Sequence, residues 1–472
     1  MSKDLKKLAE LGIPKVKPPL DDMFRPAVLA NRAFRELVKE SGRGVPLVIG
    51  LERGDGTRSR YETQILPASH EKASLNFPYV ERLVKFFLWQ KGAWKVTIGG
   101  PREIGEYIQE VYSPNGERAF DWDFMGPTTY ERPFEVEITD PEKVAPPHEV
   151  SAALGRHLDG CRIGFDLGAS DRKAAAVING EPVFSEEVVW DPRGQSDPEY
   201  HYREIMAGLK SAAAHMPRVD AIGGSSAGVI INNRPMVASL FRGVPKELFE
   251  TKVKSIFNRM GEEWGVPLVV VNDGDVTALA GAMSLNDNAV LGIAMGSSEA
   301  AGYVNQEGNI TGWLNELAFA PIDYHPDAPV DEWSGDAGCG VQYLSQQGVF
   351  RLASAAGIEL NENLSLADKL KSVQNLLEAG EERAKQIWHT IGCYVGYAIA
   401  HYADFYEIRH MLVLGRVTSG SGGPIIIERA KEVLRTEFPE LVDRISLHLP
   451  EDEATRRVGQ AVAAASLPEI KK

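Results

Sequence analysis

Cysteine is scarce in this chain. Cys161, Cys339 and Cys393 are the three among 472 residues, odd in number and without C-x-x-C spacing, which argues against a disulfide framework and predicts buried, unreactive thiols. Long apolar runs are missing too: none reaches the roughly 20 residues that a membrane-spanning helix needs. The opening Met1-Ser2-Lys3-Asp4-Leu5-Lys6-Lys7 has no apolar core of a secretory signal, so a cytoplasmic location is expected. Positive charge is in deficit, 51 Lys and Arg against 66 Asp and Glu for a net charge of -15, and no basic stripe gathers it. That speaks against nucleic acid and anionic lipid as partners. Two nucleotide motifs are also lacking: the Walker pattern G-x-x-x-x-G-K-[ST], and a dinucleotide fingerprint leading into a helix.

What is present fits an enzyme of two or three domains. With 43% hydrophobic and 25% charged residues the chain is long enough to bury real cores. Its most telling stretch is Ile163-Gly164-Phe165-Asp166-Leu167-Gly168-Ala169-Ser170-Asp171-Arg172-Lys173, an apolar strand entering a turn of small residues that carries an Asp and a Lys. Small residues let backbone N–H groups approach phosphate oxygens, Asp166 can hold a hydrated Mg²⁺, and Lys173 can offset phosphate charge. The continuation to Asn179-Gly180 between apolar runs predicts a hairpin, so this loop belongs to a β-meander.

A second, similar unit follows more than a hundred residues later. Ala289-Val290-Leu291-Gly292-Ile293-Ala294-Met295 reads as a strand, Gly296-Ser297-Ser298 as a turn, and Ala300-Ala301-Gly302-Tyr303-Val304 as the return strand, with a turn at Gln306-Glu307-Gly308. Two such units predict a duplicated fold with a phosphate cradle on each half. Between them, Pro267-Leu268-Val269-Val270-Val271-Asn272-Asp273-Gly274-Asp275 is a buried-type strand ending in a carboxylate-bearing turn, followed by a helical run. Polar residues at the carboxyl end of a strand are well placed for ligands.

From about Cys161 onward, through both phosphate loops, the Asn272-Asp273 turn, Asn315-Glu316-Leu317 and Leu412-Val413-Leu414-Gly415-Arg416-Val417, the chain resembles the ROK family of sugar kinases. The order and spacing of these segments carry the resemblance. It implies an α/β, two-lobed actin-like ATPase (ribonuclease H-like) fold, with a first lobe over 160–285, a second over 286–453, and a helix over 454–466 returning to the first. It further implies an ATP- and Mg²⁺-dependent carbohydrate kinase, with Asp273 taking the proton from the sugar hydroxyl. Asp166, Gly168, Ser170, Lys173, Gly296, Ser297, Ser298 and Gly415 would then serve the nucleotide, Asp166 holding Mg²⁺ through water. Asn233, Asn272 and Glu316 would contact the sugar or polyol. A homodimer fits the general prevalence of two-fold symmetry.

Departures from the family pattern are informative. Relatives with a zinc site read Glu-x-Gly-His and later Cys-x-Cys-Gly-x-x-Gly-Cys. Here the segments read Glu316-Leu317-Ala318-Phe319 and Glu332-Trp333-Ser334-Gly335-Asp336-Ala337-Gly338-Cys339. One cysteine cannot supply tetrahedral Zn²⁺ coordination, so no zinc is expected, and Asp323, His325, Asp327 and Glu332 read as solvated loop residues, with metal binding as the lesser alternative. Phe319 replaces a residue that touches sugar in relatives. Glu299, in the altered second loop, would repel a triphosphate unless it points away. These departures, with the extra N-terminal domain, keep a rival in play: a non-catalytic sugar- or nucleotide-binding sensor of the same fold.

A linker-like stretch over 139–147 closes a separate α/β module of unknown role at 1–150. It reads as helices over 25–41, 80–89 and 103–111, and strands over 46–52, 61–66, 94–100, 120–124 and 134–138. ROK repressors carry a helix-turn-helix in this region, and no paired short helices with a basic face are present. Trp89, Trp94, Trp122 and Phe124 read as core, with sugar stacking as the lesser alternative. Gly224-Ser225-Ser226-Ala227-Gly228 matches a hydrolase nucleophile elbow after a strand over 219–222. It feeds a β-branched run, Val229-Ile230-Ile231-Asn232-Asn233-Arg234-Pro235, where an elbow requires a helix. Asp275 is expected to cap the following helix. Gly392, Gly396 and Ala400 stripe a long helix over 384–406, where small residues let another backbone approach closely; plain core packing is the leading reading, with tight packing on the sheet near a hinge beside it.

Overall fold

The computed structural model describes residues 2–149, 151–152, 154–450 and 453–470. The chain divides into two compact units. The first comprises Met1–Val150, Ile293–Ala300 and Trp313–Leu449; the second comprises Ser151–Gly292, Ala301–Gly312 and Pro450–Lys472.

In the second unit a five-stranded sheet runs in the order Leu268–Asn272, Ala221–Ser226, Cys161–Leu167, Asp171–Ile178, Glu181–Val189. The first three strands are parallel, and the last two form the meander. Asn179 (φ 50°) and Gly180 (φ 87°) supply the left-handed pair that a tight hairpin turn demands. The C-terminal helix Glu453–Ala465 comes down on this sheet so closely that a Cβ on Gly164 would overlap the carbonyl of Ala461, and one on Gly223 that of Ala464. The strand runs to Ser226, beyond the expected end at 222: Gly223 admits the helix backbone, Gly224 makes room for the Phe165 ring, and only Gly228 (φ 105°) belongs to the bend that follows. Helix Pro198–Ala213 is capped by Asp197, which accepts from the Glu199 N–H at 3.0 Å, and seats Ile205, Leu209 and Ala212 in one core with Phe165 and Ile222.

The first unit holds a four-stranded sheet in the order Arg58–Ile65, Val45–Glu52, Lys95–Gly99, Glu135–Thr139. Helix Asn76–Lys91 beside it is buried on nearly every side, including Glu81, Arg82 and Lys85. These charges are tolerated because they are matched. Arg118 lies 2.8 Å from Glu81 and 2.5 Å from Asp336, Arg82 3.1 Å from Asp336, and Lys85 2.7 Å from Asp121. The expected strand over 120–124 is a helix, Ala119–Asp123, continuing into a wide turn to Tyr130. The apolar alternation at 120, 122 and 124 misled: Phe120 and Phe124 stack one helical turn apart (5.9 Å), and Asp121 turns inward to Lys85.

Helix Glu382–Ala403 packs against helix Gly422–Glu437. A Cβ on Gly396 would sit 2.6 Å from Cβ of Val433, and one on Gly392 2.6 Å from Cβ of Arg429. The small-residue stripe therefore admits the close approach of a neighbouring helix within the core. The N-terminal arm is tied to the same helix: the Leu20 N–H donates to Thr390 Oγ1 (3.2 Å), Tyr394 to Asp21 (2.5 Å) and Tyr397 to the Val16 carbonyl (3.2 Å). Residues of the first 150 thus share a core with those of 313–449. Among the described residues no helix is long and apolar enough to cross a membrane.

Candidate functional site

In the second unit, strand pairing sets Asp166 opposite Lys173 on one side and Ser225 on the other, so the three side chains share a face near the carboxyl end of the strand. Ser225 donates its hydroxyl to Asp166 Oδ1, and the Lys173 ammonium lies 3.3 Å from Asp166 Oδ2 and 2.7 Å from Asp171 Oδ1. Burial opposes the lysine's charge, but the two carboxylates outweigh it and hold its pKa above the ordinary value. The turn itself is pinned: the Gly168 N–H donates to the Asp171 carbonyl, its own carbonyl accepts from Trp190 Nε1, and Ser170 donates to Asp171 Oδ2, each at 2.9 Å.

Asp273 opens helix Asp273–Leu285 at the end of the neighbouring strand. Asn272 caps this helix, accepting from the Gly274 N–H at 2.7 Å and donating to the Gly228 carbonyl at 2.8 Å. Burial first, then the charge of Asp166, pushes the Asp273 carboxyl up to about 6. Capping thus belongs to Asn272. The expected cap, Asp275, is buried in the first turn, where it accepts from the Tyr303 N–H at 3.4 Å. Asn233 and Asn232 form a left-handed turn (φ 61° and 52°), and the Asn233 amide bridges the Leu268 carbonyl and the Val270 N–H, both at 2.8 Å. Ser226, at the nucleophile position of the elbow motif, is fully buried with no hydrogen-bond partner for its hydroxyl, in a strand that does not enter a helix.

The first unit carries the other candidates. In the Gly296-Ser297-Ser298 turn, the Gly296 N–H donates to the Ser298 carbonyl (3.0 Å), and its carbonyl accepts from the Gln346 N–H (2.9 Å); Ser297 and Ser298 are exposed. Gly415 (φ 101°) abuts Met295, and a Cβ there would lie 2.5 Å from its carbonyl oxygen. Glu299 points away from the turn into the core, where the Tyr402 hydroxyl donates to Oε1 at 3.3 Å. Its Oε2 has no partner, and burial foremost, with the charge of Glu316, pushes the carboxyl up to about 8. A neutral, inward-facing Glu299 does not repel a phosphate at the turn.

Backbone bonds to the end of helix Asn76–Lys91 fix Asn315 and Glu316. The Asn315 N–H donates to the Gln90 carbonyl and that of Glu316 to the Trp89 carbonyl, both at 2.9 Å. Trp89 is fully buried, whereas Trp94 donates to the Arg53 carbonyl and lies under Arg132. Asp323 is buried, accepting from the Arg25 and His325 N–H groups and the Tyr343 hydroxyl. Cys339 is buried and its thiol pushed up by that burial. Among the described residues no group of three or more His, Cys, Asp and Glu is arranged to hold a metal ion.

Sequence reasoning missed the part of Ser225, which it read only within the elbow motif. Its signal was the parallel pairing that sets it beside Asp166.

Neither a family model nor a curated protein matches the sequence. Solved structures do. The ROK hexokinase from Thermus thermophilus matches with a TM-score of 0.51 at 17% identity, covering 64% of this chain and 97% of its own. A ROK family transcriptional regulator, a homolog of the E. coli MLC protein, matches with a TM-score of 0.53 at 18% identity, covering 66% of this chain and 78% of its own. About two thirds of this chain therefore shares the α/β fold of these structures. At these identities the likeness establishes the fold and leaves activity to the residues.

Proposed function

We propose that the protein is an ATP-dependent kinase acting on a hydroxyl of a sugar or sugar-like polyol, with Asp273 as general base. The observation that carries this reading is the Asp273 carboxyl. It stands at a helix N-terminus within electrostatic reach of Asp166, with its pKa raised to about 6, close to working pH, as a general base requires. Asn272 positions it by capping the same turn.

The chain's residues fit Mg·ATP. Asp166, oriented by Ser225, is suited to a hydrated Mg²⁺, and Lys173 holds a positive charge that phosphate oxygens can share. The turn at Gly168–Ser170, beside Asp166 and Lys173, offers backbone approach to a nucleotide. When bound, Mg·ATP supplies the phosphoryl group and neutralises charge developing on it. Asp273 hydrogen-bonds the acceptor hydroxyl and accepts its proton; contact with the sugar by Glu316 is what the family resemblance implies. The hexokinase among the structural neighbours supports a sugar as the acceptor class.

A non-catalytic sensor would need no carboxyl tuned in this way. Incubation with Mg·ATP and a panel of hexoses, amino sugars, pentoses and cyclitols, with products read by mass spectrometry, is expected to yield a sugar phosphate. Tight binding without any phosphorylated product would favour the sensor.

A further inference from the structure

Trp333 is 54% exposed, yet its ring is held on several sides. Phe120, Phe124 and Phe319 approach it at centroid distances of 5.4, 5.9 and 5.1 Å with interplanar angles of 69°, 89° and 62°. Trp89 supports this layer from the core, 4.5 Å from Phe319 and 4.7 Å from Phe124. Its indole N–H donates to Asp121 at 2.5 Å. The segment bearing Trp333 is closed on itself by the Asp331 N–H to the Asp336 carbonyl (2.8 Å) and the Ser334 N–H to Asp331 Oδ2 (2.7 Å). An indole fixed this firmly and left half in water forgoes burial energy that folding alone would collect.

This shelf is continuous with Glu316. Glu316 immediately precedes the short turn Leu317–Phe319, the Phe319 N–H donates to the Glu316 carbonyl at 3.2 Å, and the Glu316 N–H is held by Trp89. Aromatic rings flanked by carboxylates suit carbohydrate: the rings pack on the C–H face of a pyranose while carboxylates accept from its hydroxyls. Besides Glu316, the adjoining acids are Glu332, next to Trp333, and Asp123, next to Phe124. Their negative charge disfavours a phosphorylated or acidic ligand and leaves a neutral sugar as the fitting occupant.

We infer that Trp333 and the partly exposed Phe120, backed by the buried Phe319, form a stacking subsite for a second sugar ring, so that the acceptor is a disaccharide or glycoside and not a free hexose. The inference rests on the kinase reading only for the acceptor role of Glu316. The test uses the full chain with glucose, galactose and N-acetylglucosamine against maltose, cellobiose, lactose and chitobiose. Binding is read by calorimetry and turnover by ADP release. The preference for the best disaccharide over its monosaccharide should fall about tenfold, in Kd and in KM, in Trp333→Ala, the scale of losing one aromatic contact, and recover in Trp333→Phe. An unchanged preference in Trp333→Ala, or no disaccharide binding at all, overturns the subsite; ADP release with free hexoses would then still uphold the kinase. Trp333-dependent disaccharide binding without ADP release upholds the subsite and overturns the kinase. Trp333-dependent self-association in sedimentation, with no effect on sugar binding, would assign the shelf to a second copy and overturn the subsite.

Discussion

Ser225 and Asp166 lie side by side on parallel strands, and the serine hydroxyl donates to the carboxylate oxygen that does not face Lys173. One oxygen is thus fixed by a neutral donor and the other by a cation 3.3 Å away. The carboxylate cannot turn without breaking one of these bonds.

Ser225→Ala should therefore leave Asp166 free to close on Lys173. The Mg²⁺ concentration for half-maximal rate is expected to rise by about tenfold, the scale of one hydrogen bond to a charged group. A Mg²⁺ titration of ADP release checks this, and an unchanged midpoint would contradict it.

The coupling of Asp273 to Asp166 has a direct signature in the ligand-free protein. A like charge raises a carboxyl pKa, so removing it lowers it. Asp166→Asn should move the Asp273 titration below its position near 6, as followed by carboxyl carbon NMR. In the wild type, kcat/KM should climb with pH through this region as the base deprotonates.

Glu299 makes stability depend on pH in a definite direction. Its folded pKa, about 8, lies above the ordinary 4.5, so the unfolded chain ionises first and the native state loses stability as pH rises from about 4.5 to about 8. Glu299→Gln imitates the neutral acid and should gain stability over the wild type progressively through that window. Urea unfolding at several pH values reads the difference, and a gain independent of pH would contradict the assignment.

Asp336 balances Arg82 and Arg118 in a buried network. Asp336→Asn leaves Arg82 and Arg118 to share the single carboxylate of Glu81 and is expected to cost about 3–5 kcal/mol in urea unfolding. The exposed Lys7 to Asp4 pair offers a contrast: Lys7→Ala should cost ~0–1 kcal/mol.

Legibility in the sequence followed the range of the interactions. The meander, the Asn179-Gly180 turn, the strand leading to Asp273 and the long helix over 382–403 rest on local periodicity and turn chemistry, and were readable. The helix at 119–123 was not, because the pairing of Asp121 with Lys85 and the stacking of Phe120 and Phe124 under Trp333 are settled by tertiary packing. The extra length of the strand over 221–226 was hidden for the same reason: Gly223 answers to Ala464, far along the chain, and Gly224 to the ring of Phe165 on the neighbouring strand. At the candidate site, Asp166, Lys173 and Asp273 announced themselves by charge within apolar strands. Ser225 and the inward turn of Glu299 depend on which residues the sheet and the core bring alongside.

The most direct test of the kinase reading compares sugar-dependent ADP release by the wild type and Asp273→Asn, with nucleotide binding measured on both. Loss of the general base should lower turnover by about 10²–10⁴ while nucleotide affinity stays within a few-fold. Turnover near that of the wild type in Asp273→Asn would contradict the account.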